Sequence, residues 1–212
     1  MHLTTKTRHS IVSGNENQIL DSIWQKFRWM DGSSNLLASE CYNRAVNKIT
    51  TLKGAASFSK LVKGKHKTVG LIVGGFDILH LGHTNLFRYA KKHVNFLIVG
   101  LDNDKTIRLV KGSDRPVNNF KRRSLLLSDL ETIDKIFEIK DISHHDSEEA
   151  TENYKGLLST ISPTHIFTHK LCDKHWEKKK KIAREMGIGF LLDRGVKITN
   201  SGTIIKILSR EL

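Results

Sequence analysis

The sequence predicts an α/β fold: a Rossmann-like parallel sheet with helices on both faces, preceded by an N-terminal helical extension. Three observations lead there. Short β-rich runs alternate with helical patterns from Thr68 onward. The strand candidates are near-continuous apolar runs, as expected for strands covered on both faces. The expected helix Lys174–Met186 is closed by Gly187, and serine or asparagine stands where the last helix starts. The 212-residue chain is long enough for one such domain with an appendage.

The elements follow in order. Thr68–Gly74 reads as the first buried strand, and His83–His93 as a helix with Leu86, Tyr89 and Ala90 turned inward. Asn95–Leu101 is the second strand, Asn119–Leu130 a helix and Lys135–Ile139 a strand. Glu149–Ile161 is a helix, His165–Thr168 a strand and Lys174–Met186 a helix closed by Gly187. Gly189–Leu192 is a last strand, and a final helix begins near Ser201. Residues 1–66 read differently, as a helical extension and basic connector ahead of a domain at 67–212. Ile19, Ile23, Phe27 and Met30 fall at helical spacing, and a second helix is expected from about Asn35 to Leu52. Gly54 to Lys67 reads as a Ser/Gly-containing connector. The apolar stripe of the two helices fits docking against the chain's own domain or pairing of two copies.

Charge narrows the partners. The formal net charge of +13 favours anions, either phosphate-rich small molecules or nucleic acid. The run KHWEKKKK at Lys174–Lys181 is most simply a solvated helix face, and its single Trp176 is no stacking platform for a nucleic-acid strand. No apolar run is long enough to span a bilayer, and the N-terminus has no secretory pattern. Cys41 and Cys172 are isolated thiols without metal-ligand spacing, so a cytoplasmic setting is expected.

Three segments carry chemistry, each at a strand-to-helix junction. The first is GGFDILHLGH, Gly74 to His83. Gly74 and Gly75 would let a phosphate approach the backbone, while His80 and His83 flank Gly82 where the chain enters a helix whose free N–H groups attract anions. The second, Leu101 to Leu127, holds Lys111, Arg115 and Arg123, with Arg123 inside a helical run and therefore at a fixed position. The third is KITNSGTIIKIL, where Ser201, Gly202 and Thr203 open a helix and offer hydroxyls and N–H groups. Singly these read as a surface turn, a basic loop and a plain helix cap. Together they mark one edge of one sheet, where such folds bind ligands.

At these residues the chain resembles the cytidylyltransferase-like nucleotidyltransferase superfamily. His80-Leu81-Gly82-His83 fits its HxGH motif, and SGTIIK fits its C-terminal helix start, with Gly202 where a hydroxyl residue is usual. The run RLVKGSDRPVNNFKRR looks most like the sugar-phosphate (heptose 1-phosphate) adenylyltransferase domain. The resemblance implies attack by a substrate phosphate oxygen on the α-phosphorus of a nucleoside triphosphate, releasing pyrophosphate. It implies catalytic roles for His80, His83, Lys111 and Arg123. It implies nucleotide contacts from Gly74, Gly75, Phe76, Asp77, Gly82, Asp104, Ser201, Gly202 and Thr203, with Asp77 shaping the turn. Mg²⁺ is expected with the triphosphate, held by phosphate oxygens and water and by no dedicated metal ligands. ATP with a sugar phosphate is the leading pair; CTP with a phospho-alcohol and non-catalytic nucleotide or nucleic-acid binding are the alternatives. Relatives carry a Gly-Gly-Asp segment after the fourth strand, whereas this chain has Thr168-His169-Lys170-Leu171-Cys172-Asp173.

Overall fold

The computed structural model describes residues 43–196, 199 and 201–208. Six strands form one sheet: β1 (Ile49–Thr50), β2 (Val69–Gly74), β3 (Phe96–Asp102), β4 (Lys135–Ile139), β5 (His165–His169) and β6 (Gly189–Asp193). Their order is β1-β4-β3-β2-β5-β6, and every neighbouring pair is parallel. Strand order therefore reverses between β2 and β5, and the carboxyl ends of those two strands bound the crevice where open α/β sheets take ligands.

Six helices link the strands, α1 (Leu52–Lys63), α2 (Leu81–Lys91), α3 (Asp104–Lys111), α4 (Phe120–Ser128), α5 (Glu148–Ile161) and α6 (Trp176–Glu185), and α7 (Ser201–Leu208) follows β6. The pleat sends successive residues of β3 to opposite faces, which is why both faces are apolar. Leu97 and Val99 join Phe87 and Ala90 of α2 and Leu127 of α4 in one core cluster. Ile98 joins Ala55 and Val62 of α1, Leu157, Leu158 and Ile161 of α5, and Ile182 and Ala183 of α6 in the other. Each fully buried Leu, Ile or Phe contributes about 1.5–3 kcal/mol of transfer free energy.

Caps set the helix starts. Thr51, Asn103, Asn119 and Ser147 each accept a backbone N–H three residues on, opening α1, α3, α4 and α5. At the opposite end of the sheet, Asp134 accepts from Leu97 N (2.7 Å) and pairs with Lys91 (2.5 Å). That pairing fixes where β3 begins.

The domain elements match the sequence expectation to within one or two residues at each end. Upstream, the structure differs. The first expected helix, around Ile19–Met30, lies outside the described residues. The second is helical over residues 43–48 but gives way at Ile49, which pairs with Ile136 as an edge strand. The expected connector Gly54–Lys67 is mostly helix, because Thr51 caps it and Leu52, Ala55, Ser59 and Val62 share one face. Ser59 is fully buried there, small enough to let α1 lie close. Helix α3 was also missed, its start hidden in a run read for its charge.

Gly70 is packed so tightly that a Cβ would sit 2.8 Å from Phe167 and 2.9 Å from Val94. Gly70→Ala is expected to cost about 1–3 kcal/mol through overpacking, read as a fall of several degrees in Tm.

Candidate functional site

The turn after β2 is held by two buried groups. Asp77 is 1% exposed, and its carboxylate accepts from Asn118 N (2.8 Å) and Val117 N (3.1 Å) while pairing with Arg115 (2.5 Å). Arg123, also 1% exposed, donates to Gly75 O (2.6 Å), Asp102 O (2.8 Å), Asn118 O (3.0 Å) and the Asp104 carboxylate (2.7 Å). Between them these side chains clamp the ends of β2 and β3 to the loop before α4. Phe76 takes a left-handed conformation at φ 43°, which turns the chain from β2 toward α2.

That turn delivers the two histidines. His80 is the residue before α2 and His83 lies in its first turn, with their rings stacked at 3.7 Å. His83 also meets the Phe76 ring edge-on at 5.0 Å. Gly82 leaves room for the His80 ring, which a Cβ would approach to 3.1 Å. The Nδ1 atoms of both histidines are buried without a hydrogen-bond partner among the described residues. Burial holds both imidazoles below the ordinary histidine range; for His83 the fall is from 6.5 to about 3, with His80 and Lys111 adding smaller pushes. Neutral imidazoles stacked face to face therefore stand at the helix start.

Two cavities meet at this point. One, of about 560 Å³, is lined by Gly74, Gly75, Phe76, His83, Lys111 and Ser201 among others. The second, of about 540 Å³, is lined by His80, Gly82, His83, Lys111, Arg115, Ser201 and Gly202. Lys111 is exposed along much of its surface, yet desolvation lowers its pKa and Arg115 lowers it further. Arg115 keeps a buried Nε with no partner among the described residues. The structure thus brings together His80, His83, Lys111, the β2 glycines, Gly82, Ser201 and Gly202.

Other expected site residues stand apart. Arg123 lines neither cavity, and its guanidinium is spent on three carbonyls and Asp104, so it is a positioning residue and not a ligand for phosphate. Asp104 is its partner and lines neither cavity; Asp77 is likewise consumed by the turn. Thr203 is exposed and lines neither cavity. The arginine that does face the site is Arg115, whereas the sequence reading favoured Arg123 for its fixed place in a helical run. His169, 7% exposed at the end of β5, and Cys172 border both cavities and were also missed as site residues.

Imidazoles, a lysine and two helix starts at the switch point of an all-parallel sheet define a phosphate-handling α/β protein. The chain belongs to the cytidylyltransferase-like family, whose model matches residues 71–192. Over 103 residues it is 38% identical to the bifunctional protein HldE of a Nitratiruptor species, covering 46% of this chain and 22% of that protein. The chain spans about a quarter or less of the length of such curated relatives. The fold is shared with a bifunctional NMN adenylyltransferase/ADP ribose pyrophosphatase from Francisella tularensis, 12% identical with a TM-score of 0.53 over 69% of this chain and 43% of that chain. It is shared also with a pantoate-beta-alanine ligase from Francisella tularensis, 16% identical with a TM-score of 0.52 over 77% of each chain. Among the described residues no helix is long and apolar enough to cross a membrane.

Two outcomes follow. Arg123→Met should cost roughly 3–5 kcal/mol in denaturant melts, since it strands buried carbonyls and Asp104. For His83 the folded pKa lies below the unfolded one, so protonation favours the unfolded chain as pH falls from 6.5 toward 3. Wild-type protein should lose stability on the order of a few kcal/mol from this group across that window. His83→Asn should lose correspondingly less, as read by urea titrations at stepped pH.

Proposed function

We propose that this chain is a nucleotidyltransferase that moves a nucleoside monophosphate from a triphosphate to a small phosphorylated acceptor, a sugar phosphate, and releases pyrophosphate. The observation that carries the reading is the stacked His80–His83 pair opening onto cavities that also hold Lys111, Arg115, Ser201 and Gly202. ATP is the expected donor, since the segment from Arg108 to Arg123 resembles the sugar-phosphate adenylyltransferase pattern and the HldE similarity points the same way.

The acceptor's phosphate oxygen forms a bond to the α-phosphorus while the bond from that phosphorus to the bridging oxygen breaks; the electron pair leaves with pyrophosphate. The nucleophile is already anionic near neutral pH, so catalysis is a matter of alignment and charge stabilisation. Neutral His80 and His83 donate hydrogen bonds to phosphoryl oxygens, a role that no loss of a proton need precede. Lys111 and Arg115 offset the charge that builds on the phosphates, and the N–H groups at the start of α7 receive the departing end. Among the described residues no three His, Cys, Asp or Glu side chains group as cation ligands. Mg²⁺ would enter as part of the substrate, on triphosphate oxygens and water.

Pyrophosphate release measured over ATP and CTP with a panel of phosphate esters tests the assignment; ATP with an aldose phosphate should give the highest kcat/KM. His83→Ala should lower turnover about a hundred- to a thousandfold with an unchanged circular dichroism spectrum. Wild-type rates in His83→Ala would defeat the mechanism.

A further inference from the structure

The larger cavity has a second end, away from the histidine pair. The two cavities share His83, Leu86, Lys111, His169, Cys172 and Ser201, so these residues mark the junction. Lining unique to the larger cavity includes the ends of β3 and β4 and the starts of α5 and α6. There His145 Nε2 approaches Asp102 Oδ2 at 3.8 Å and His175 Nδ1 approaches Asp146 Oδ1 at 3.5 Å. The two imidazoles meet edge to face at 6.2 Å. His175 Nε2 is buried with no partner among the described residues, as is the Tyr154 hydroxyl. Burial holds the His175 imidazole low and pushes the Tyr154 phenol up, Asp173 adding to the latter, so both are uncharged groups.

The chemistry of this end differs from that of the first. A neutral imidazole beside a carboxylate presents one donor and several acceptors, the complement of a hydroxyl, which both gives and takes a hydrogen bond. Asn153 extends the same mixed character along the wall. A quaternary ammonium, which has no N–H to donate, would instead need free aromatic faces. The carbocyclic aromatics on this wall are Phe76 and Tyr154. The Phe76 ring packs against His83 and Phe87, and the Tyr154 ring already carries the Lys179 ammonium at 5.8 Å.

We infer that His145 and His175, each backed by a carboxylate, determine acceptor specificity by reading the hydroxyls of a phosphorylated polyol or sugar, and that this pocket refuses phospho-alcohols with a quaternary ammonium head. The inference rests on the transferase reading for its reaction but concerns binding at a separate end of the cavity. A site built to hydrogen-bond substrate hydroxyls rejects analogues that lack them, because its own polar atoms are then left unpaired.

The test is calorimetric titration of hexose and heptose 1-phosphates, phosphocholine and ATP into the full chain and into His145→Ala, His175→Ala and His175→Gln, beside a pyrophosphate-release assay. The wild-type chain should bind a sugar phosphate and not phosphocholine. Each alanine variant should weaken the sugar phosphate at least about tenfold while ATP affinity holds, and His175→Gln should recover part of the loss. Sugar-phosphate binding lost in the variants, with no pyrophosphate released from any pair, would leave this pocket assigned and remove the transferase reading. Phosphocholine binding, no affinity for any sugar phosphate, or alanine variants that bind it as the wild type does would overturn the inference.

Discussion

Arg123 is the residue on which the site geometry depends. A guanidinium with almost no exposure is costly to desolvate, and it persists because three backbone carbonyls and Asp104 receive its donors. Those carbonyls belong to the turn after β2, the end of β3 and the segment before α4. Their mutual distances are therefore set by one rigid planar group. Asp77 does the complementary work from the other side, ordering Val117 and Asn118 and holding Arg115 at the rim. Charge buried in the framework thus leaves other charge free to face the cleft.

The cleft itself combines uncharged imidazoles with cations. His83 can remain neutral because burial disfavours its protonated form, and His80 and Lys111 make a further positive charge unfavourable there. A polyphosphate entering such a site meets donors already in place and little reorganisation, which is where electrostatic stabilisation is strongest.

Much of this was legible in the residues. Buried parallel strands are continuous apolar runs, so β2, β3, β4, β5 and β6 could be read within a residue or two. The HxGH segment carried its own context, a glycine turn leading from strand into helix. What could not be read depends on three-dimensional partners. Arg115 and Arg123 are the same residue type eight positions apart, and only the carbonyls around Arg123 decide which one is interior. The resemblance implied a nucleotide contact from Asp104, and its partner in the fold is Arg123. Helix α1 was obscured by Gly54 and two serines, although Leu52, Ala55, Ser59 and Val62 kept helical spacing. His145 and His175 carried no sequence signal, since thirty residues separate groups that meet only once the loops after β4 and β5 come together at one end of the sheet.

The two-residue strand β1 has a consequence for how the protein can be divided. It lies upstream of the segment matched by the family, yet it covers the outer edge of β4, and the helix after it lays Ala55 and Val62 on the core beside α5. A fragment cut at Thr68 would keep every residue of the cleft while baring a row of β4 amides and carbonyls and an apolar strip next to them. Such an edge templates pairing with another copy. Solubility of the catalytic half is thus vested in a stretch that contributes nothing to its chemistry.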